Sequence, residues 1–226
     1  MRASPAPAAI PGLPEAATLG WRRERATDAV LRRDTRRWSA WTAWVVLLFA
    51  APGLVLLAIE PWTFPVALLC FAHAWAVPSL QARRGARSVV GLGDQRSAAG
   101  PQPGEGPDGV ALGLLADLVG AAGIDTLRSS GLARHRGSLG TWLVGEQGAF
   151  LLRPRDRLGG RPVLCWCVRV ASVEGLPAAD RIAHLLLALR EDEEGFATVA
   201  NMAFAGARWR VARHLAPRTA AALRIR

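Results

Sequence analysis

The chain contains no lysine and no tyrosine; all 28 of its basic residues are arginine, against 18 acids, for a formal net charge of +10. An arginine-only basic set, in a chain with 23 glycines and 15 prolines, reads as the mark of a GC-rich genome rather than as selection for forked anion contacts. The basic balance still draws anionic lipid or nucleic acid. Cysteine is nearly as scarce. Cys70, Cys165 and Cys167 are three in number and the last two are one residue apart, which excludes a disulfide framework and fits a reducing compartment. No G-x-S-x-G, H-E-x-x-H or P-loop pattern occurs, and no cofactor-binding motif is found.

What is present in quantity is apolar sequence, and it is concentrated. Residues 38–59 are apolar except for Ser39 and Thr42, and residues 62–80 except for Thr63, His73 and Ser79. Each run is about 20 residues long, the length a helix needs to cross a hydrocarbon core. Only Glu60 and Pro61 separate them, so they form an antiparallel transmembrane hairpin with a tight turn. A buried helix pair in a soluble protein is the alternative, but both faces of each run are apolar. A cleaved signal peptide competes for the first run; the long preceding region and the lack of a small-x-small site argue against it. Arginines crowd both flanks while the turn carries Glu60 alone, so the positive-inside rule places the protein in the inner membrane with both termini cytoplasmic. Trp38 and Trp41 then lie at the inner interface and Trp62 at the outer one. Pro52, in mid-span, is expected to kink its helix.

Five segments follow from composition. Residues 1–18 are Pro- and Ala-rich and expected to be disordered. Residues 19–37 form a basic juxtamembrane helix lying along the headgroups, residues 38–80 the hairpin, and residues 81–109 an Arg-flanked Gly/Pro linker. Residues 110–226 form a cytoplasmic α+β domain with a basic C-terminal tail. Within it, "VALGLLADLVGAAGIDTL" places Leu112, Leu115 and Val119 at helical spacing. "GTWLVGEQGAFLLRP" predicts a β-hairpin. "RPVLCWCVRVA", apolar on both faces, predicts a third and central strand. "LPAADRIAHLLLALREDEEGF" predicts an amphipathic helix, and "ATVANMAFAGARWRVARHLA" a further helical stretch. The fold class is therefore α+β, a three-stranded antiparallel meander flanked by helices.

Candidates for chemistry are few. Cys165 and Cys167 share a strand face, but a zinc site needs a second pair, so two small core residues compete with the metal reading. Cys70 and His73 stand at i,i+3 within the second run, a metal-ligand spacing with no third ligand; a neutral hydrogen-bonded His73 is the competing reading. Asp180 and His184, one helical turn apart, with Glu191 nearby, make the catalytic or metal alternative. The acidic run from Glu191 to Glu194 opposes the dipole if it ends a helix and calls for compensation. Arg32, Arg33, Arg36, Arg37, Arg83, Arg84, Arg87, Arg208, Arg210 and Arg213 are the expected contacts with an anionic inner leaflet.

In outline, a helix followed by "GTWLVGEQGAFLLRP" resembles the core of nuclease-related domains with a restriction-endonuclease-like fold. Those domains place an Asp before the first strand and a Glu-x-Lys on the next. Here Gly140 and Thr141 stand near the expected acid and lysine is absent, so the resemblance argues against nuclease activity. Through that segment, "CWCVRV" and "DRIAHLLLALREDEEGFATVAN", the chain is similar to two-span membrane proteins encoded by GC-rich actinobacteria. That resemblance implies class and location and no mechanism. The expected function is a membrane-anchored interaction or regulatory protein. Its partners are the bilayer, a protein partner and a second copy met through the hairpin; nucleic acid held by the Arg-rich C-terminus is the lesser alternative, and no cofactor is expected.

Overall fold

A computed structural model describes residues 25–90, 107–154, 161–168 and 176–224. The segment expected to be disordered, the first part of the juxtamembrane segment and most of the Gly/Pro linker lie outside the described residues.

Helix α1 runs from Asp28 to Ile59 without a break. Thr27 caps it, its side chain accepting from the backbone N–H of Val30, and Asp28 adds a negative charge to the first turn, where the helix dipole favours it. After Glu60 a single 3₁₀ turn, Pro61–Thr63, reverses the chain, and α2 follows as Phe64–Arg87. Both helices are long and apolar enough to cross a membrane, and only 11% and 6% of their most apolar windows are buried inside the protein. A core helix of a soluble protein would be mostly covered. The exposed band on α1 extends from Trp41 to Ile59, a rise of about 27 Å against a hydrocarbon thickness of roughly 30 Å. Helix α1 continues through Pro52. At the neighbouring Gly53 an added Cβ would lie 3.1 Å from both Cys70 Cβ and the Phe71 ring, so a glycine permits the close approach of the two helices.

The second unit begins with α3, Pro107–Val119, and α4, Ala121–Ser130. Gly120 sits between them at φ 71° and splits what the periodicity predicts as one helix. Strands β1 (Ala133–Arg136), β2 (Thr141–Gly145), β3 (Gly148–Leu152) and β4 (Pro162–Cys167) form an antiparallel meander. Helices α5 (Ala178–Glu191) and α6 (Glu193–Val199) then cross over to β5 (Asn201–Ala207), which pairs antiparallel with β4. Two short helices close the fold, α7 (Arg208–Ala212) and α8 (Pro217–Ala222).

The architecture is α+β as expected, but the sheet has five strands in the order β1-β2-β3-β4-β5 rather than three. The expected hairpin is β2–β3 with Glu146 and Gln147 at its turn, and β4 lies inside the sheet as its two apolar faces require. The added strands are the two edges. "ARHR" has no apolar alternation, and "NMAFAGA" is rich in small residues that favour helix over strand; pairing with β2 and β4 overrides both local preferences.

Each face of the sheet carries a core. On one, Trp142, Leu151, Leu164 and Trp166 pack with Leu115 of α3, Ile182, Leu185 and Leu189 of α5, and Phe196 of α6. On the other, Leu143, Phe150, Cys165 and Phe204 pack with Ala82, Ala86 and Val89 from the end of α2, and with Val211 and Leu223. The start of α1 joins the first core through Ala26 and Leu31, while Trp38 touches both. Two boundaries therefore move. Residues 28–37 do not form a helix of their own but are the first turns of α1, with Leu31 buried in a core. Residues 81–87 are not linker but the last turns of α2, built into a core. Both helices pack against β5, α1 through Trp38 on Phe204 and α2 through Gly85 beside the same ring.

Candidate functional site

The connection between hairpin and domain is made by backbone as well as side chains. Gln147 N–H, at the β2–β3 turn, donates to Val89 O at 3.2 Å. Gly145 and Gly148 make room for it: a Cβ at 145 would meet Val89 O at 2.6 Å, and one at 148 would strike the Trp166 carbonyl and approach Ser88 O at 2.9 Å. At the other end of the interface, Arg25 pairs with Asp192 at 2.7 Å and Ala26 N–H donates to Thr198 Oγ1 at 3.0 Å. Arg153, which is buried, pairs with Asp28.

The acidic run finds its compensation here. Asp192 closes α5 but is at the same time the N-cap of α6, where it accepts from Gly195 N–H at 2.8 Å. Glu193 and Glu194 thus lie in a first turn, where the dipole favours acids. Glu193 also reaches into the β1–β2 turn. Its carboxylate accepts from Ser138 N–H (2.7 Å), Ser138 Oγ (2.6 Å), Leu139 N–H (3.0 Å) and Trp142 Nε1–H (2.5 Å). His135, at the same corner, has its pKa lowered by burial and by Arg190, with Glu193 pulling the other way.

The sequence candidates for catalysis all lie on one helix. On α5, His184 and Glu191 are exposed and Asp180 is half-buried. No group of three His, Cys, Asp or Glu residues could hold a metal among the described residues. The neighbouring Arg181 instead ties α5 to the β2–β3 turn through Glu146 at 2.9 Å. Cys165 is fully buried, and burial pushes its thiol well up. Its Sγ would lie 3.2 Å from a Cβ at Gly85 of α2, so it is part of the hairpin–sheet packing. Cys167 is half-buried on the same strand. Cys70 lies against Gly53. His73 donates from Nδ1 to Leu69 O at 2.7 Å and stacks on Phe49 at 5.4 Å between ring centroids.

The arginines expected at the membrane divide into two kinds. Arg32, Arg33, Arg36, Arg37, Arg83, Arg84 and Arg213 are exposed, and Arg87 is half-buried. Arg208 and Arg210 are instead built into the domain. Arg208 donates to the carbonyls of Pro162, Leu223 and Arg153. Arg210 donates to Pro78 O at 3.0 Å and lies over the Phe204 ring. Burial lowers the pKa of both; for Arg208 the adjacent Arg161 adds to the effect.

Arg208 borders a cavity of about 720 Å³ that is lined also by Arg161, Arg213 and Arg224 together with Trp209 and Leu223. Arg224 belongs to the basic C-terminal tail read off the sequence, whereas Arg161 is missing from that reading. Register brings Arg161 in: Pro162 of β4 pairs with Ala207 of β5, and Arg208 N–H donates to Arg161 O at 3.2 Å. No local pattern signals that meeting of residues almost fifty positions apart. Arg213 lies over the Trp209 ring at 5.0 Å, a cation–π contact. No protein-family model, curated protein or solved structure matches the chain.

Proposed function

We propose that this protein is anchored in the inner membrane by the α1–α2 hairpin and presents its α+β domain at the cytoplasmic surface as an interaction or regulatory module. The observation that carries the reading is that the last turns of α2 and the turn after them form a layer of the domain: Ala82, Ala86 and Val89 are fully buried against Phe150, Cys165 and Phe204. A domain fixed in this way is presented in one orientation to whatever meets it at the membrane, whereas a tethered one samples many. Orientation across the bilayer follows from charge. Arg32, Arg33, Arg36, Arg37, Arg83 and Arg84 all lie at the domain end of the hairpin, and Glu60 is the ionisable residue at the far end, the asymmetry that retains loops on the cytoplasmic side.

Two measurements test the proposal. A reporter active only outside the inner membrane, fused after Arg226, is expected to be silent; activity there would reverse the topology. Crosslinking in native membranes followed by co-purification is expected to capture a protein whose crosslinks map to residues 107–224. Crosslinks confined to the hairpin would overturn the presentation of the domain as the working part.

A further inference from the structure

We infer that the arginine-lined cavity beside the inner end of α2 is a binding site for the phosphate of an anionic phospholipid headgroup. The inference rests on the membrane anchoring just proposed and adds to it a defined site with a defined ligand chemistry.

Charge is the first argument. Four guanidinium groups line the cavity, and no acid is among the described residues that line it. Arg161, Arg213 and Arg224 are exposed and make no ion pair among the described residues. Like charges gathered around one concavity repel, and a bound phosphodiester relieves that repulsion while accepting forked hydrogen bonds from arginine. Arg208 is held in place by three backbone carbonyls, so part of the site is ordered before the ligand arrives and less entropy is lost on binding.

Shape is the second. The volume of about 720 Å³ falls within the range of roughly 300–1,000 Å³ common for small-ligand sites. Trp209 and Leu223 give it an apolar side. A glycerol backbone with the start of its acyl chains presents that same pairing of phosphate and hydrocarbon, which a free anion does not.

Position is the third. Helix α7, which supplies Arg208, is bound to the end of the apolar band. Arg210 donates to Pro78 O at 3.0 Å, and His214 Nε2 lies 3.5 Å from Ser79 Oγ. Leu80, next along α2, is 59% exposed and Trp209 is 60% exposed. An exposed indole beside arginines at the end of a span is the composition of a membrane interface.

The test uses the full chain purified in mild detergent, titrated with phosphatidylglycerol or phosphatidylcholine while bound lipid is counted by native mass spectrometry. Phosphatidylglycerol is expected to bind at least tenfold more tightly. The combined variant Arg161→Gln, Arg213→Gln, Arg224→Gln is expected to weaken it by roughly tenfold or more with the melting temperature unchanged. A control with the same loss of charge elsewhere on the domain surface, Arg128→Gln, Arg136→Gln, Arg218→Gln, is expected to keep the tight site. Equal binding of the two lipids, or an equal loss in the control, would overturn the site. Parallel titrations separate other sources of phosphate. Inorganic phosphate binding with the same arginine dependence and no lipid preference, or displacement of lipid by a single-stranded oligonucleotide, would also overturn the proposal. Failure of the chain to enter bilayers on reconstitution rejects the anchoring itself, whereas entry without selective binding rejects this site alone.

Discussion

Gly85 of α2 lies directly over Phe204 of β5, so close that a Cβ added at position 85 would collide with the Phe204 Cβ and approach Cys165 Sγ at 3.2 Å. The atoms in the way belong to a β-carbon fixed to the sheet, not to the free end of a side chain. Gly85→Ala is therefore expected to destabilise the protein by about 1–3 kcal/mol, the usual range for overpacking. Gly113→Ala is the comparison. Position 113 is inside α3 with nothing within 4 Å of an added Cβ, and there alanine is expected to be neutral or to stabilise by up to about 1 kcal/mol. Chemical denaturation of both variants in detergent checks the pair; equal midpoints would refute the packing account.

The fate of the domain after cleavage of the connecting segment distinguishes a built-in domain from a tethered one. With a specific protease site inserted between residues 91 and 106, the C-terminal fragment is expected to remain with the membrane pellet after complete cutting. The contacts from Ala82 to Val90 and from Ala26 to Leu31 hold it. It should leave only in denaturant. Release into the supernatant under native conditions would show that the shared core does not hold.

Glu193 satisfies the β1–β2 turn and the indole of Trp142 together. Trp142 is fully buried, so removing its acceptor leaves a donor without a partner, at a cost of about 1–3 kcal/mol for that group alone. Glu193→Ala is expected to lower stability by at least this much, Glu193→Gln by less, and Glu194→Ala by little. Thermal unfolding of the three variants ranks them, and no difference between positions 193 and 194 would dismiss the role given to the carboxylate.

His135 and His214 both have pKa values lowered by burial and by neighbouring arginines: Arg190 for the first, and Arg83, Arg213 and Arg87 for the second. The sign follows from linkage. Below the unfolded value, near 6.5, the unfolded chain binds protons that the folded chain refuses, so stability falls as pH is lowered through the folded pKa values. It is fully present above about pH 6.5. The double variant His135→Gln, His214→Gln is expected to flatten the stability–pH curve just below that point. Identical curves for the variant and the parent would exclude the histidines as its source.

Local sequence carried the hairpin and the central strands because their signals are local: unbroken hydropathy in residues 38–59 and 62–80, and alternation of β-formers around Glu146-Gln147 and through Cys165-Trp166-Cys167. The edge strands were not legible because nothing in "ARHR" or "NMAFAGA" favours extension until neighbours pair with them. The juxtamembrane boundary failed for a different reason. Composition changes from basic to apolar at Trp38, but the backbone of α1 ignores the change. The acidic run was placed at a helix end because Asp192 closes α5, although the same residue caps α6. Of the cavity, Arg208, Arg213 and Arg224 were legible as part of a basic C-terminal cluster. Arg161 was not, since only the β4–β5 register brings it there.

Helix α1 is continuous from Asp28 to Ile59, about 48 Å along its axis, and its partner α2 is fixed to the same sheet. A rod clamped at one end behaves as a lever. When bilayer thickness changes, a hydrophobic span accommodates by altering its tilt. Repacking Leu31 and Ala86, both buried to within 1%, would disrupt two cores, so the lower-cost response is for the whole domain to swing with the rod. If the hairpin spans a bilayer as proposed, lipid thickness then sets the angle at which the domain stands to the membrane, and any contact it makes there inherits that mechanical dependence.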